Sequence, residues 1–166
     1  MHGKVFAGSV VLHAAAVVAA ALVLPERVPT RFGGGGGADE WSSRAEAVAS
    51  SALAGTLVAG LFAGLAAWVP RLPLEVVNVP NAAFWKSPEH EGELRRRLRE
   101  DLLGIGTTTV LLLTAVQGAL VQAALSGTGR LPWWFFAVLG AWLAGVLGWV
   151  LSLALTRYRV PRGPGG

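Results

Sequence analysis

The 166 residues contain no cysteine, one methionine and one tyrosine. Without a thiol there can be no disulfide, no cysteine-based zinc or iron–sulfur site and no thiol nucleophile. Charge is also sparse. Asp, Glu, Lys and Arg make up 14% of the chain, against about 25% in an average soluble domain. No Asp or Glu falls inside any of the four long apolar runs. The sequence has no metal-ligand spacing, no Ser-His-Asp set on one side and no paired carboxylates placed in a cleft. These gaps argue against an enzyme, and no metal or cofactor is expected.

Apolar length is what the chain does have. Its mean hydropathy is +0.53, more than a soluble core of this size requires. Val5 to Leu24 is interrupted only by Ser9 and His13. Twenty helical residues span about 30 Å, the thickness of a bilayer's hydrocarbon core. The run is longer than a signal-peptide core and ends at Val23-Leu24-Pro25-Glu26, a poor cleavage site, so it reads as an uncleaved helix. Further spans are expected at 47–69, 102–125 and 132–155. The expected fold class is all-α: one integral membrane domain over 1–166 with four transmembrane helices. An amphipathic cytoplasmic helix precedes the third span and runs into it.

The connections carry the polar residues. The first, 25–46, holds Pro25 and Pro29, a run of five glycines from Gly33 to Gly37, and Trp41. Proline stops a helix, and the glycine run is conformationally free. Ser43 and Glu46 form a capping box that starts the second span. Residues 70–101 begin with proline-broken apolar sequence. This reads as an extended segment on the membrane surface or against the bundle, with a short strand possible at Leu72–Val76. Ser87 and Pro88 then have the form of an N-cap and N1 pair. Glu91–Arg95, Glu93–Arg97 and Arg96–Glu100 have i,i+4 spacing, and Leu94, Leu98 and Leu102 form a stripe. Trp133, Trp134, Phe135 and Phe136 stand at the mouth of the fourth span, as in an interfacial aromatic belt. The tail from 160 to 166 reads as disordered.

Ten of the fourteen Lys and Arg residues fall at the termini and in the connection after span two, and four on the other side. The positive-inside rule therefore puts both termini in the cytoplasm of a multi-pass plasma-membrane protein and turns the 25–46 connection outward. The basic residues thus serve topology. A nucleic-acid partner is not expected, despite the net charge of +4.

Two stretches carry a resemblance. One is Leu24-Pro25-Glu26-Arg27-Val28-Pro29-Thr30-Arg31-Phe32 followed by Asp39-Glu40-Trp41-Ser42-Ser43-Arg44. The other is Asn78-Val79-Pro80-Asn81, Phe84-Trp85, Pro88-Glu89 and the arginine-rich helix. Together they resemble a small bacterial integral-membrane domain of unknown function that also forms the N-terminal part of Sdp-type bacteriocin immunity proteins. Arg31 stands where that family usually has histidine. The loop is padded with glycine, and the extra C-terminal spans of the full immunity proteins are missing. The resemblance implies the four-span topology and an immunity-type role.

The candidate residues fall into three groups. Arg27, Arg31, Asp39, Glu40, Trp41 and Arg44 offer charges and an aromatic on the outward loop, whose simpler role is to connect two helices. Gly55, Gly60, Gly64, Thr114 and Gln117 are expected to pack helices, and Gly60–Gly64 is a GxxxG pair expected to pack within the chain. Arg95, Arg96, Arg97 and Arg99 are placed to meet anionic lipid headgroups. His13 is an intramembrane ionisable group without a carboxylate partner, and reads most simply as a neutral, hydrogen-bonded histidine. Two functions remain open. One is a sensor or immunity-type protein whose loop meets a secreted peptide or envelope component. The other is an accessory subunit of a larger membrane complex or transporter. A small channel is disfavoured because charged pore-lining residues are missing.

Overall fold

A computed structural model describes residues 1–160. Most of them are helical. The order is α1 (His2–Val23), β1 (Arg27–Phe32), β2 (Ala38–Ser43), α2 (Arg44–Trp68), α3 (Ala82–Trp85), α4 (Glu91–Leu125) and α5 (Trp133–Ser152), and a π-turn at Leu153–Arg157 follows. Four helical stretches are long and apolar enough to cross a membrane: His2–Val23, Arg44–Arg71, Glu91–Leu125 and Trp133–Arg157.

The first correction is to the all-α expectation. The connection between α1 and α2 is a two-stranded antiparallel hairpin, in which Arg27 pairs with Ser43, Val28 with Ser42 and Pro29 with Trp41. A two-stranded ribbon leaves each strand one unpaired edge, so a residue without an N–H is tolerated there. The glycine run forms the turn and is held in place. Gly33 N–H donates to Gly37 O at 2.9 Å, and Gly36 takes the left-handed φ of +73°. The α4–α5 turn then staples this tip. Ala38 N–H donates to Gly129 O at 2.8 Å, and Leu131 N–H to Gly36 O at 2.9 Å. The Arg130 guanidinium reaches Gly35 O.

α2 begins as the capping box requires, with Glu46 N–H donating to Ser43 Oγ and Ser43 N–H to Glu46 Oε2. α4 begins later than Ser87 and Pro88 suggest. These two lie in a turn, where Ser87 O accepts from both His90 and Glu91, and the helix proper starts at Glu91. α4 then runs without a break for 35 residues. At 1.5 Å per residue it is roughly 50 Å long, well beyond a hydrocarbon core of about 30 Å.

α4 is the pillar against which α1, α2, α5 and the hairpin pack. Phe6, Ala66, Leu103 and Val110 form one buried cluster; Ala20, Leu24, Val28 and Ala47 form another beneath the hairpin. A third gathers Leu74, Val79, Trp85, Leu94 and Tyr158. Residues 72–86 therefore form no strand and pack against the bundle, one of the two placements expected for them. Short 3-10 turns at Val69–Arg71 and Leu74–Val76, and the single turn α3, fold onto the first half of α4. Asn81 takes a left-handed φ of 56° to make the bend, a conformation that asparagine tolerates better than most residues. α5 has no buried residue. The tail expected from residue 160 lies, past Val160, outside the described residues.

Trp85 is the key of the third cluster because it is buried and its indole N–H donates to Tyr158 O at 2.8 Å. Truncation of Trp85 to Ala should cost about 3–5 kcal/mol. Trp85→Phe, which keeps most of the volume and loses the hydrogen bond, should cost about 1 kcal/mol. Denaturant unfolding in micelles measures both. An unchanged midpoint in Trp85→Ala would mean that this cluster does not hold residues 72–86 in place.

Candidate functional site

The loop residues singled out from the sequence divide by job once the hairpin is in place. Arg44 closes its base, with Nη1 donating to Leu24 O at 3.1 Å and its own N–H to Glu26 O at 3.0 Å. Trp41 lies against Gly129, where an added Cβ would come within 3.0 Å of its ring. These two side chains hold the cap together. Arg27, Arg31, Asp39 and Glu40 are exposed, as Trp41 and Arg44 also are for all their contacts. Arg31 and Glu40 face each other at 3.9 Å across the ribbon, both largely in solvent, where such a pair contributes little stability. The Asp39 carboxylate overlies Gly33, which has no Cβ to obstruct it.

Below the cap, α1, α2 and α4 meet at His13. The imidazole is buried. Its Nε2 lies 3.4 Å from Ser51 O on α2, and its Nδ1 lies 3.3 Å from Thr114 Oγ1 on α4. Gly55 allows this, since a Cβ there would be 2.3 Å from the ring. Thr114 also donates to Val110 O at 2.9 Å. Gln117 lies one turn further along α4. It is buried, and neither its Nε2 nor its Oε1 has a partner among the described residues. An orphaned buried amide costs about 1–3 kcal/mol. Two cavities flank His13. One, of about 250 Å³, lies between α1 and α2. The other, of about 300 Å³, lies between α2 and α4 and reaches Thr30 and Ser42 of the hairpin.

Gly60 and Gly64 do not pack as expected. A Cβ at either would meet nothing within 4 Å. They follow Gly55 by five and nine positions, which at 100° per residue places them about 140–180° around the helix. The close contacts fall instead at Gly104, beneath Trp149, and at Gly106, beneath Phe62 and Phe6.

The arginine cluster is also largely engaged within the chain. Arg95 bonds Glu91 and donates to Val69 O at 2.6 Å and Leu72 O at 2.9 Å, which clamps the end of α2 to α4. Arg96 holds Glu93 and Glu100. Arg97 holds Glu93, donates to Arg157 O, and stacks 4.4 Å above the Trp85 ring. Arg99 is the exposed residue of the four with no such contact among the described residues. Three of the four arginines expected at lipid headgroups thus also hold carboxylates or carbonyls of their own chain.

A polar knot at this end was not among the expectations drawn from residue order. Asp101 is buried, accepts from Tyr158 Oη at 2.8 Å, and has Arg157 Nε 2.7 Å from its Oδ1. The Arg157 contact is an ion pair that is out of line for a hydrogen bond. The Tyr158 carbonyl accepts from both Asn81 Nδ2 and Trp85 Nε1. One signal was available, because Asp101 continues the stripe of Leu94 and Leu98. A carboxylate in a stripe position requires a buried partner.

No protein-family model, curated protein or solved structure matches the chain.

Burial first, then the hydrogen bond to Asp101 and its charge, raise the Tyr158 phenol above its ordinary value. The native state thus retains a proton that the unfolded chain loses near pH 10, and the stability is present below that pH and lost as pH rises above it. Tyr158 is the only tyrosine, so tyrosinate absorbance reports it alone. In folded protein that absorbance should emerge above the ordinary range, and Asp101→Asn should bring it back down. Ordinary ionisation in the folded wild type would contradict the buried Tyr158–Asp101 contact.

Proposed function

We propose that this chain is a multi-pass integral membrane protein of the bacterial plasma membrane, with both termini cytoplasmic. Its outward hairpin would serve a sensor or immunity-type role by meeting a secreted peptide or envelope component. The observation that carries this reading is the built character of the cap. A connector needs no sheet, yet this one is paired, closed by Arg44 and stapled to the α4–α5 turn. It leaves Arg31, Asp39 and Glu40 exposed on a fixed frame. Preordering lowers the entropy lost on binding. The four long apolar helices and the asymmetric Lys and Arg distribution support the membrane placement. The likeness to the immunity-type domain supports the role. The proposal assigns no catalytic residue, metal or cofactor.

A second reading, an accessory subunit, is favoured by one observation. A Cβ at Gly60 or Gly64 of α2 would meet nothing within 4 Å among the described residues, and small residues on an apolar helix permit close approach of another helix.

The natural lack of cysteine makes orientation directly testable. Gly35→Cys should react with a membrane-impermeant maleimide on intact cells, and Val160→Cys only after lysis. The reverse pattern would overturn the topology. For the role, Asp39→Lys with Glu40→Lys alters exposed charge and leaves Trp41 and Arg44 in place. In cells challenged with secreted antimicrobial peptides, the wild type should protect and the double variant should lose about tenfold in tolerated dose, the equivalent of ~1.4 kcal/mol of contact. Full protection by the folded double variant would contradict the role of these charges.

A further inference from the structure

The cavity beneath the hairpin has a polar end and an apolar wall. Thr30, Ser42, Ser51 and His13 supply hydroxyl and imidazole groups, and Val116 and Leu120 of α4 supply hydrocarbon. No Asp, Glu, Lys or Arg lines it. A charged guest would lose several kcal/mol of solvation with no counter-ion to offset it, so the lining selects for a neutral one. The hydrogen-bonding groups are not all committed. Thr30 and Ser42 hold each other at 2.9 Å. The two contacts of His13, at 3.3 and 3.4 Å, are longer than the usual range of about 2.7–3.2 Å and are readily exchanged for a better partner. The apolar wall leads outward, since Val116 is 38% exposed on the side of the bundle. A guest entering here would leave its hydrocarbon part against α4.

We propose that this cavity binds a neutral amphiphile. Its uncharged head carries carbonyl or hydroxyl oxygens that bond His13 and Ser51, and its hydrocarbon tail runs past Leu120 and Val116. At about 300 Å³, the cavity is at the small end of ligand sites, roughly 300–1,000 Å³. It takes the head and the start of the tail. Two membrane sources share this chemistry, an isoprenoid quinone and a diacylglycerol. The inference rests on the membrane placement proposed above and not on the role given to the outer charges of the hairpin.

The test is calorimetric titration of the full chain in phosphatidylcholine nanodiscs with decylubiquinone, dioctanoylglycerol and dioctanoylphosphatidic acid. Saturable binding of the quinone alone assigns the quinone class, and of the glycerol alone the glyceride class. The phosphatidic acid, which carries the same tails and a charge, should bind at least about tenfold more weakly than the favoured neutral probe. Val116→Trp fills the cavity from an exposed position that folding tolerates, and Ser51→Ala removes a hydroxyl; each should weaken binding about tenfold. Absence of saturable binding by both neutral probes, equal binding of the phosphatidic acid, or full binding by Val116→Trp or Ser51→Ala would overturn the inference. Failure of the chain to enter nanodiscs would overturn the membrane placement as well.

Discussion

The structure depends on how closely α1 and α2 approach α4, and that distance is set where side chains are missing. His13 reaches Ser51 and Thr114 because Gly55 has no Cβ to block the ring. Phe6 and Phe62 converge on Gly106 for the same reason, and Trp149 of α5 lies over Gly104. Ala119 and Ala123 are fully buried further along α4. In helix packing, small residues gain dispersion contacts by admitting neighbouring backbones. Once α4 is fixed, the remainder follows from its ends. Its charged first half gathers residues 72–86 and Tyr158 through Arg95, Arg97 and Asp101. Its far end presents the turn that staples the hairpin.

Charge on this chain is therefore mostly internal mortar. Seven ion pairs occur among the described residues, and six of them involve residues between Glu91 and Asp101. Arg95 and Arg97 each satisfy a backbone carbonyl at a chain bend as well as a carboxylate. Such carbonyls, beyond helix ends, would otherwise lack donors. The hairpin differs, because its one ion pair is exposed and its strength lies in backbone pairing. That contrast leaves the charges of the cap uncommitted to its packing.

Much of this was readable from residue order. The four apolar runs, the Ser43–Glu46 capping box and the i,i+4 pairs along α4 are local features, and local rules find them. The hairpin was hidden because Pro29 and five consecutive glycines are breakers by local rules. What orders them is the 129–131 segment, about ninety residues away in sequence. The Tyr158–Asp101 knot joins residues 57 apart, beyond any spacing rule. The GxxxG pair misled for another reason. Such a motif indicates that close approach is allowed, not which face the partner occupies, and in α2 the occupied face belongs to Gly55. His13 was visible as an oddity, yet its neighbours were not, since Ser51 and Thr114 come from different helices.

The central claim is that this chain works as an autonomous membrane protein through its ordered cap, with the open α2 face turned to lipid. Native mass spectrometry of the protein gently extracted from its own membrane tests this most directly. The account predicts the chain alone, or with copies of itself and bound lipid. Recovery of a second protein at fixed stoichiometry, lost on bulky replacement of Gly60 or Gly64, would contradict it and make the chain a subunit.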